Sequence, residues 1–259
     1  MLSRYGLRFA ALSYLTLLLV LPVAMVFRRA FENGVGAAWD AVTTPEAKHA
    51  FLITIVIALI AVPANTIFGI ACAIAIVRHR FPGKGVVNAI VDLPLALSPI
   101  VVGLSFLLLF GTGGWFAGVP FEVLFALPAM VLATIFVSLP FVVREVVPVL
   151  REIGTEQEQA ASTLGASSWQ TFRRVTLPAI RWAVAYGVVL TTARALGEFG
   201  AVSVVSGRIV GKTDTLTLHV EERFQSFDYV GAYAASVVLA LLAIATLVAM
   251  SVFKPKEGR

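Results

Sequence analysis

The sequence predicts an all-α integral membrane protein: six transmembrane helices, with a short cytoplasmic helix-turn-helix between spans four and five. Three observations lead there. At 59% hydrophobic and 14% charged residues, with a mean hydropathy of +0.90, the chain is too apolar for a soluble domain of its size. Six windows are long and apolar enough to cross a bilayer, which takes about 20 residues each. One polar stretch, Thr155–Pro178, interrupts this pattern.

The windows run Phe9–Phe27, Phe51–Val77, Ala89–Phe110, Leu124–Val147, Ala183–Ser206 and Val230–Phe253. Arg4 and Arg8 give the first the flank of a signal peptide. Its apolar run is longer than a signal core, however, and no small-x-small cleavage site precedes Arg28-Arg29, so it reads as a retained anchor. Pro63, Pro94, Pro99, Pro128 and Pro140 fall inside spans. Membrane helices tolerate proline where neighbours re-satisfy the freed carbonyls, so kinked helices around a cavity are expected. With no internal repeat or linker, residues 1–259 form a single transmembrane domain whose cytoplasmic loop spans about 151–181.

Orientation follows from the positive residues, which resist translocation. Arg4, Arg8, Arg78, Arg80, Lys84, Arg144, Arg151, Arg173, Arg174, Arg181, Lys254, Lys256 and Arg259 fall on one side. Arg28, Arg29, Lys48, Arg208, Lys212 and Arg223 fall on the other, a split of 13 against 6 with Arg194 inside a span. Both termini and the polar loop are therefore placed in the cytoplasm.

Several function classes drop out. The charge of +5 and pI near 9.7 report topology in such a chain rather than nucleic-acid binding. Cys72 is the single cysteine, within an apolar run, and His49, His79 and His219 lack metal-ligand spacing. No nucleophile motif or paired carboxylates point to an enzyme. Nothing like G-x-x-x-x-G-K-[ST] occurs, so the chain itself should neither bind nor hydrolyse ATP.

The interrupting loop has legible local chemistry. Thr155-Glu156-Gln157-Glu158 is a capping-box pattern, in which Thr155 starts a helix and Glu158 bonds back to it. Gly165 can take the left-handed conformation that ends that helix. Ser167-Ser168-Trp169-Gln170 is a second capping box, opening a helix that Pro178 closes or hands on to the fifth span. Ala160, Ala161, Leu164, Trp169, Phe172 and Val175 recur at three- and four-residue spacing, giving each helix one apolar face that must be buried. Glu152, Glu156 and Glu158 argue against a membrane-surface helix and against a DNA-reading one. A cytoplasmic protein surface remains, and small residues such as Ala160, Ala161, Ser162 and Ala166 suit its close approach.

In the fifth span, Arg194 and Glu198 are four residues apart and share one side of a helix, with Thr191 extending a polar stripe. Charges at membrane depth cost about 2.5–3.5 kcal/mol each on insertion scales and normally face a bundle interior or a water-filled cavity. The stripe is read as a translocation face; the competing reading is a structural ion pair pinning two helices. Ala193, Gly197 and Ala201, small-xxx-small, should pack on a neighbouring helix.

The run Gln159-Ala160-Ala161, then Gly165, then Val175-Thr176-Leu177-Pro178 resembles the EAA loop of binding-protein-dependent ABC importer permeases: E-A-A, three residues, G, nine residues, a branched aliphatic, x, L-P. Every spacing fits. The glutamate that names the motif is Gln159 here, with Glu158 one place earlier, which implies a weaker or altered ionic contribution to docking. "DLPLALSPIVVGLSFLLLFG" (Asp92–Gly111), "PFVVREVVPVL" (Pro140–Leu150) and "ARALGEFGAVSVVSGRIVG" (Ala193–Gly211) resemble the sulfate/thiosulfate permease branch, CysW type of subunit. The R-x-L-G-E-F-G core is shared with molybdate permeases; "AVSVVSG" and "TLTLHVEERFQSFDYVGAYAASVV" tilt the resemblance to sulfate.

That resemblance implies half of an oxyanion pathway in the bacterial cytoplasmic (inner) membrane. Its partners would be a second permease subunit of the CysT type, a cytoplasmic ABC ATPase dimer that uses ATP and Mg, and an extracytoplasmic sulfate-binding protein. Glu158, Gln159, Ala160, Ala161, Gly165, Val175, Leu177 and Pro178 would form the coupling loop. The alternatives are a molybdate/tungstate ABC permease subunit and, from another class, an autonomous ion-coupled carrier or channel. The carrier reading would favour internal repeats and paired broken helices.

Overall fold

The computed structural model describes residues 2–118, 120 and 122–253, with side chains over 6–249; Lys254, Lys256 and Arg259 of the charge tally lie outside them. Every regular element among these residues is helical: α1 (Leu2–Leu15), α2 (Leu21–Ala30), α3 (Gly34–Thr43), α4 (Pro45–Arg78), α5 (Lys84–Ala96), α6 (Pro99–Phe110), α7 (Leu127–Ser138), α8 (Pro140–Glu152), α9 (Glu156–Thr163), α10 (Ser168–Thr171), α11 (Leu177–Leu196), α12 (Gly200–Val205), α13 (Leu216–Gln225) and α14 (Tyr229–Phe253). Single wide turns, Thr16–Val20 and Phe172–Thr176, join α1 to α2 and α10 to α11.

Among the described residues, five stretches are long and apolar enough to cross a membrane: Gly6–Ala30, Pro45–Arg78, Leu127–Glu152, Ser168–Leu196 and Tyr229–Ala249. The third sequence window is instead a broken pair, α5 and α6, meeting at 112°. Hydropathy runs unbroken across the corner, but Pro99 has no N–H to continue a helix, and the residue before a proline is pushed to extended geometry. Leu97 (ψ 142°) and Ser98 (ψ 135°) adopt it. The fifth window also stops short of its expected end: α11 finishes at Leu196, and α12 starts afresh at Gly200.

The core is built where α4, α8 and α11 cross. Val142 of α8 is fully buried between two glycines. A Cβ on Gly69 of α4 would lie 2.6 Å from Val142 Cβ, and one on Gly187 of α11 would lie 2.9 Å from Val142 Cα. Only glycine permits this approach, the small-residue packing by which membrane helices gain contact. Ile76, Val143, Val146, Leu150 and Ile180 complete one cluster; Met130, Val137, Val202 and Val205 anchor a second beside α6 and α12.

Pro140 breaks the ladder between α7 and α8, and the repair is visible. Leu139 N–H turns to Phe136 O, so Ile135 O accepts from Asn65 Nδ2 of α4 at 3.0 Å. Asn65 also donates to Ser138 Oγ at 2.8 Å. A buried amide in an apolar span thus satisfies the carbonyl released at a proline junction.

Candidate functional site

The loop between α8 and α11 folds as two short helices around a glycine corner. Gly165 sits at φ +81°; its N–H bonds Ser162 O, and the Ala166 N–H bonds Ala161 O, each at 3.0 Å. That 5→2 and 6→1 pair is a Schellman end to α9. The second capping box forms in full: Ser167 N–H donates to Gln170 Oε1 (2.9 Å) and Gln170 N–H to Ser167 Oγ (3.3 Å). Pro178 does not close α10. It stands in the first turn of α11, whose helix runs on from Ser168 through the wide turn.

The first capping box does not form, because Glu158 is engaged elsewhere. Thr155 makes no side-chain cap bond and instead accepts from Gln159 Nε2 at 3.1 Å. Glu158 Oε2 lies 2.9 Å from Arg78 Nε, at the end of α4. Its Oε1 accepts from Arg78 Nη2 (3.2 Å) and from Thr176 Oγ1 (2.8 Å). Arg78 also donates to Leu150 O (2.9 Å) and Gly154 O (2.7 Å), the end of α8 and the residues beyond it. One charge-assisted hydrogen bond from Arg78, reinforced by the ion-pair contact and the Thr176 hydroxyl, outweighs a single cap bond, so the carboxylate points into the protein.

Gln159 and Ala160 are exposed, Ala161 and Val175 half-buried. Ala160, Ala161, Leu164, Arg174, Val175, Pro178 and Arg181 line an open groove beside Gln157 and Ala179. Leu164 and Trp169 stand out at 89% and 67% exposure, while Leu177 is half-buried beneath. The groove carries two cations and no carboxylate.

Arg194 and Glu198 pair at 2.6 Å, but not on one continuous helix face, since α11 ends between them. Glu198 is 3% exposed. Its Oε1 accepts the Ala201 N–H at 2.7 Å, and its backbone carbonyl accepts Thr217 Oγ1 at 2.8 Å, tying α11, α12 and α13 together. Thr191 is fully buried, with no hydrogen-bond partner for its hydroxyl. The expected stripe Ala193, Gly197 and Ala201 packs only in part: Ala201 is fully buried in the core, but Gly197 lies exposed at the break, and the tightest approaches belong to Gly200 and Gly103. Cβ atoms there would come within 2.8 Å of Pro99 and 2.7 Å of Val204. The two broken helices, α5–α6 and α11–α12, thus meet at Pro99 and Gly200. Paired breaks, taken from the sequence as a mark of carriers, do not separate the classes here.

Sequence reasoning missed Arg78, whose contacts are 72 to 80 residues away. It gave no partner to Arg144, which lies in α8 and pairs with Asp92 of α5 at 2.9 Å. Asp214, His219 and Glu222 bring ligand-type atoms within 4.8 Å of one another. The His219 Nδ1–Asp214 bond at 3.3 Å accounts for the two buried members.

Residues 65–258 match the family described as binding-protein-dependent transport system inner membrane component. The chain is 49% identical over 259 residues to the sulfate transport system permease protein CysW of Synechocystis, covering 98% of this chain and 94% of that one. It is 49% identical over 234 residues to CysW of Escherichia coli K12 (89% and 80% covered), and 36% identical over 253 residues to CysT of the same organism (96% and 91%). In fold it is similar to a chain of a bacterial ABC transporter that imports alginate, with a TM-score of 0.80 at 16% identity, covering 98% of this chain and 96% of that chain. A second structure of a bacterial alginate ABC transporter, bound to a pentasaccharide-loaded periplasmic protein, gives 0.77 at 17% identity, covering 96% and 91%.

Proposed function

We propose, for a chain that belongs to the binding-protein-dependent transport system inner membrane components, that it is the permease subunit forming half of the pathway of an ATP-driven sulfate/thiosulfate importer. The substrate follows from likeness over nearly the whole chain to sulfate permeases of the CysW type. The weaker likeness to CysT makes a second, different permease subunit the natural other half. An extracytoplasmic sulfate-binding protein delivers the anion, and a cytoplasmic ABC ATPase dimer consumes ATP and Mg; this chain binds no cofactor and catalyses no reaction. Both termini and the α9–α10 loop face the cytoplasm, as the distribution of Lys and Arg favours.

The observation that carries this reading is the α8–α11 loop. Its glycine corner and formed capping box fix a rigid knob, and its exposed Leu164 and Trp169 require a partner surface. An exposed leucine and tryptophan held out on a structured turn match the apolar, aromatic-rich make-up of an interface core. Closure of the ATPase dimer pushes on this knob, and α8 and α11 carry the motion to the breaks at Leu97–Ser98 and Gly197–Phe199. The anion passes on the Arg194 side. Arg194 is 31% exposed while Glu198 is buried, so the pair offers a guanidinium whose charge is largely balanced: a weak contact for a dianion that must also be released.

Deletion of the gene tests the substrate. Growth on sulfate as sole sulfur source should fail and growth on cysteine persist. A deletion strain that grows on sulfate but loses molybdenum-dependent activities would assign the chain to molybdate instead.

A further inference from the structure

We propose that Arg78 is the positioning residue that makes the coupling knob move as one body with α4 and α8. The proposal rests on the coupling role argued above and adds a second claim: the Glu158 carboxylate acts inward, on the permease's own helices, rather than outward on the ATPase.

The geometry is unusually complete. One guanidinium, 11% exposed, joins three segments: it donates to Leu150 O and Gly154 O at the end of α8, and clasps Glu158 of α9 through both carboxylate oxygens. Glu158 in turn accepts from Thr176, just before α11. The arrangement spans the C-terminal ends of α4 and α8, the knob itself and the start of α11. Gly154, at φ +63°, turns the chain between α8 and α9 and would otherwise be a hinge; the bond to its carbonyl closes it. A planar fork with several donors can hold such a set at once, which a lysine ammonium cannot reproduce in the same geometry.

The consequence concerns force transmission. A knob attached only through Ile153–Thr155 and the glycine corner would yield when pushed, and nucleotide-driven motion would be dissipated in the loop. With the clamp closed, displacement of α9 is displacement of the α4, α8 and α11 ends. Because Glu158 is spent internally and the position that names the motif is the uncharged Gln159, Glu156 is the one carboxylate that α9 still exposes to the ATPase.

The test uses the full complex in proteoliposomes, with the second permease, the ATPase and the binding protein, and reads ATP hydrolysed per sulfate imported. Arg78→Gln should raise that ratio at least five-fold while the ATPase still co-purifies; Arg78→Lys should fall between. Glu158→Gln keeps Arg78 on Leu150 and Gly154 and should raise the ratio about two- to three-fold, so it decides the matter if Arg78→Gln does not assemble. A wild-type ratio in Glu158→Gln, or in an assembled Arg78→Gln, overturns the clamp. Ala161→Arg on the knob separates this from the parent reading. If Ala161→Arg uncouples while the clamp variants do not, only the clamp is wrong. If Ala161→Arg also keeps wild-type coupling and ATPase association, the coupling role of the loop falls with it.

Discussion

Substitution of Gly165 isolates backbone strain from packing, because a Cβ there would meet nothing within 4 Å. What a side chain would meet is the residue's own backbone, at φ +81°. Left-handed geometry costs an L-residue roughly 1–2 kcal/mol, more for a β-branched side chain and less for asparagine. The two Schellman bonds that depend on this corner are worth about 0.5–1.5 kcal/mol each net. The strain is therefore comparable to what holds the corner closed. A cost of about 1–2 kcal/mol lowers the closed-to-open ratio by a factor of roughly 5–30. Gly165→Asn, Gly165→Ala and Gly165→Val should lose coupled sulfate uptake in that order, with membrane insertion unchanged in all three. Hydrogen exchange at Ala166, whose amide closes the wider Schellman ring, should quicken in the same order. A Val variant as active as Asn, with Ala166 equally protected, would refute the strain argument.

Other consequences can be checked separately. Ser167→Ala removes a formed cap and should cost about 1 kcal/mol locally. Thr155→Ala removes none and should change stability by less than about 0.5 kcal/mol; thermal melts of the purified complex distinguish them, and equal losses would contradict the assignment. Gly69→Ala and Gly187→Ala should each destabilise the bundle by about 1–3 kcal/mol through overpacking. In double-mutant cycles Val142→Gly should relieve Gly69→Ala, which clashes with Val142 side-chain atoms, but not Gly187→Ala, which clashes with Val142 Cα; relief of both would place the α8–α11 crossing elsewhere. Arg194→Gln with Glu198→Gln should preserve assembly and impair uptake, whereas Glu198→Gln alone should harm assembly more by leaving the arginine unbalanced at membrane depth. A double variant that transports normally removes the pair from the pathway.

Local chemistry explains how much of this was legible in the sequence. Gly165 and the Ser167–Gln170 box depend on neighbours within four residues, and their spacing announces them. Thr155–Glu158 carries the same signature and fails, because Arg78 lies 80 residues away and offers Glu158 a stronger partner than its own helix start. Hydropathy locates apolar windows but is blind to direction, so the corner at Leu97–Ser98 and the break at Gly197–Phe199 read as continuous spans. Proline announced trouble near the first; only Gly197 hinted at the second, and there the small-residue pattern suggested packing instead. Asn65 is the clearest case of chemistry hidden from a linear reading: its amide is needed by a carbonyl that Pro140, on another helix, helps to release.

The central claim, that this chain carries sulfate as half of an ATP-driven importer, is tested most directly by transport with defined parts. Proteoliposomes containing the chain with its second permease and ATPase, supplied with the binding protein outside and ATP inside, should accumulate radiolabelled sulfate. Omission of any one partner should abolish accumulation, and excess molybdate should leave it unaffected. Sulfate uptake by the chain alone without ATP, or accumulation of molybdate in preference to sulfate, would contradict the account.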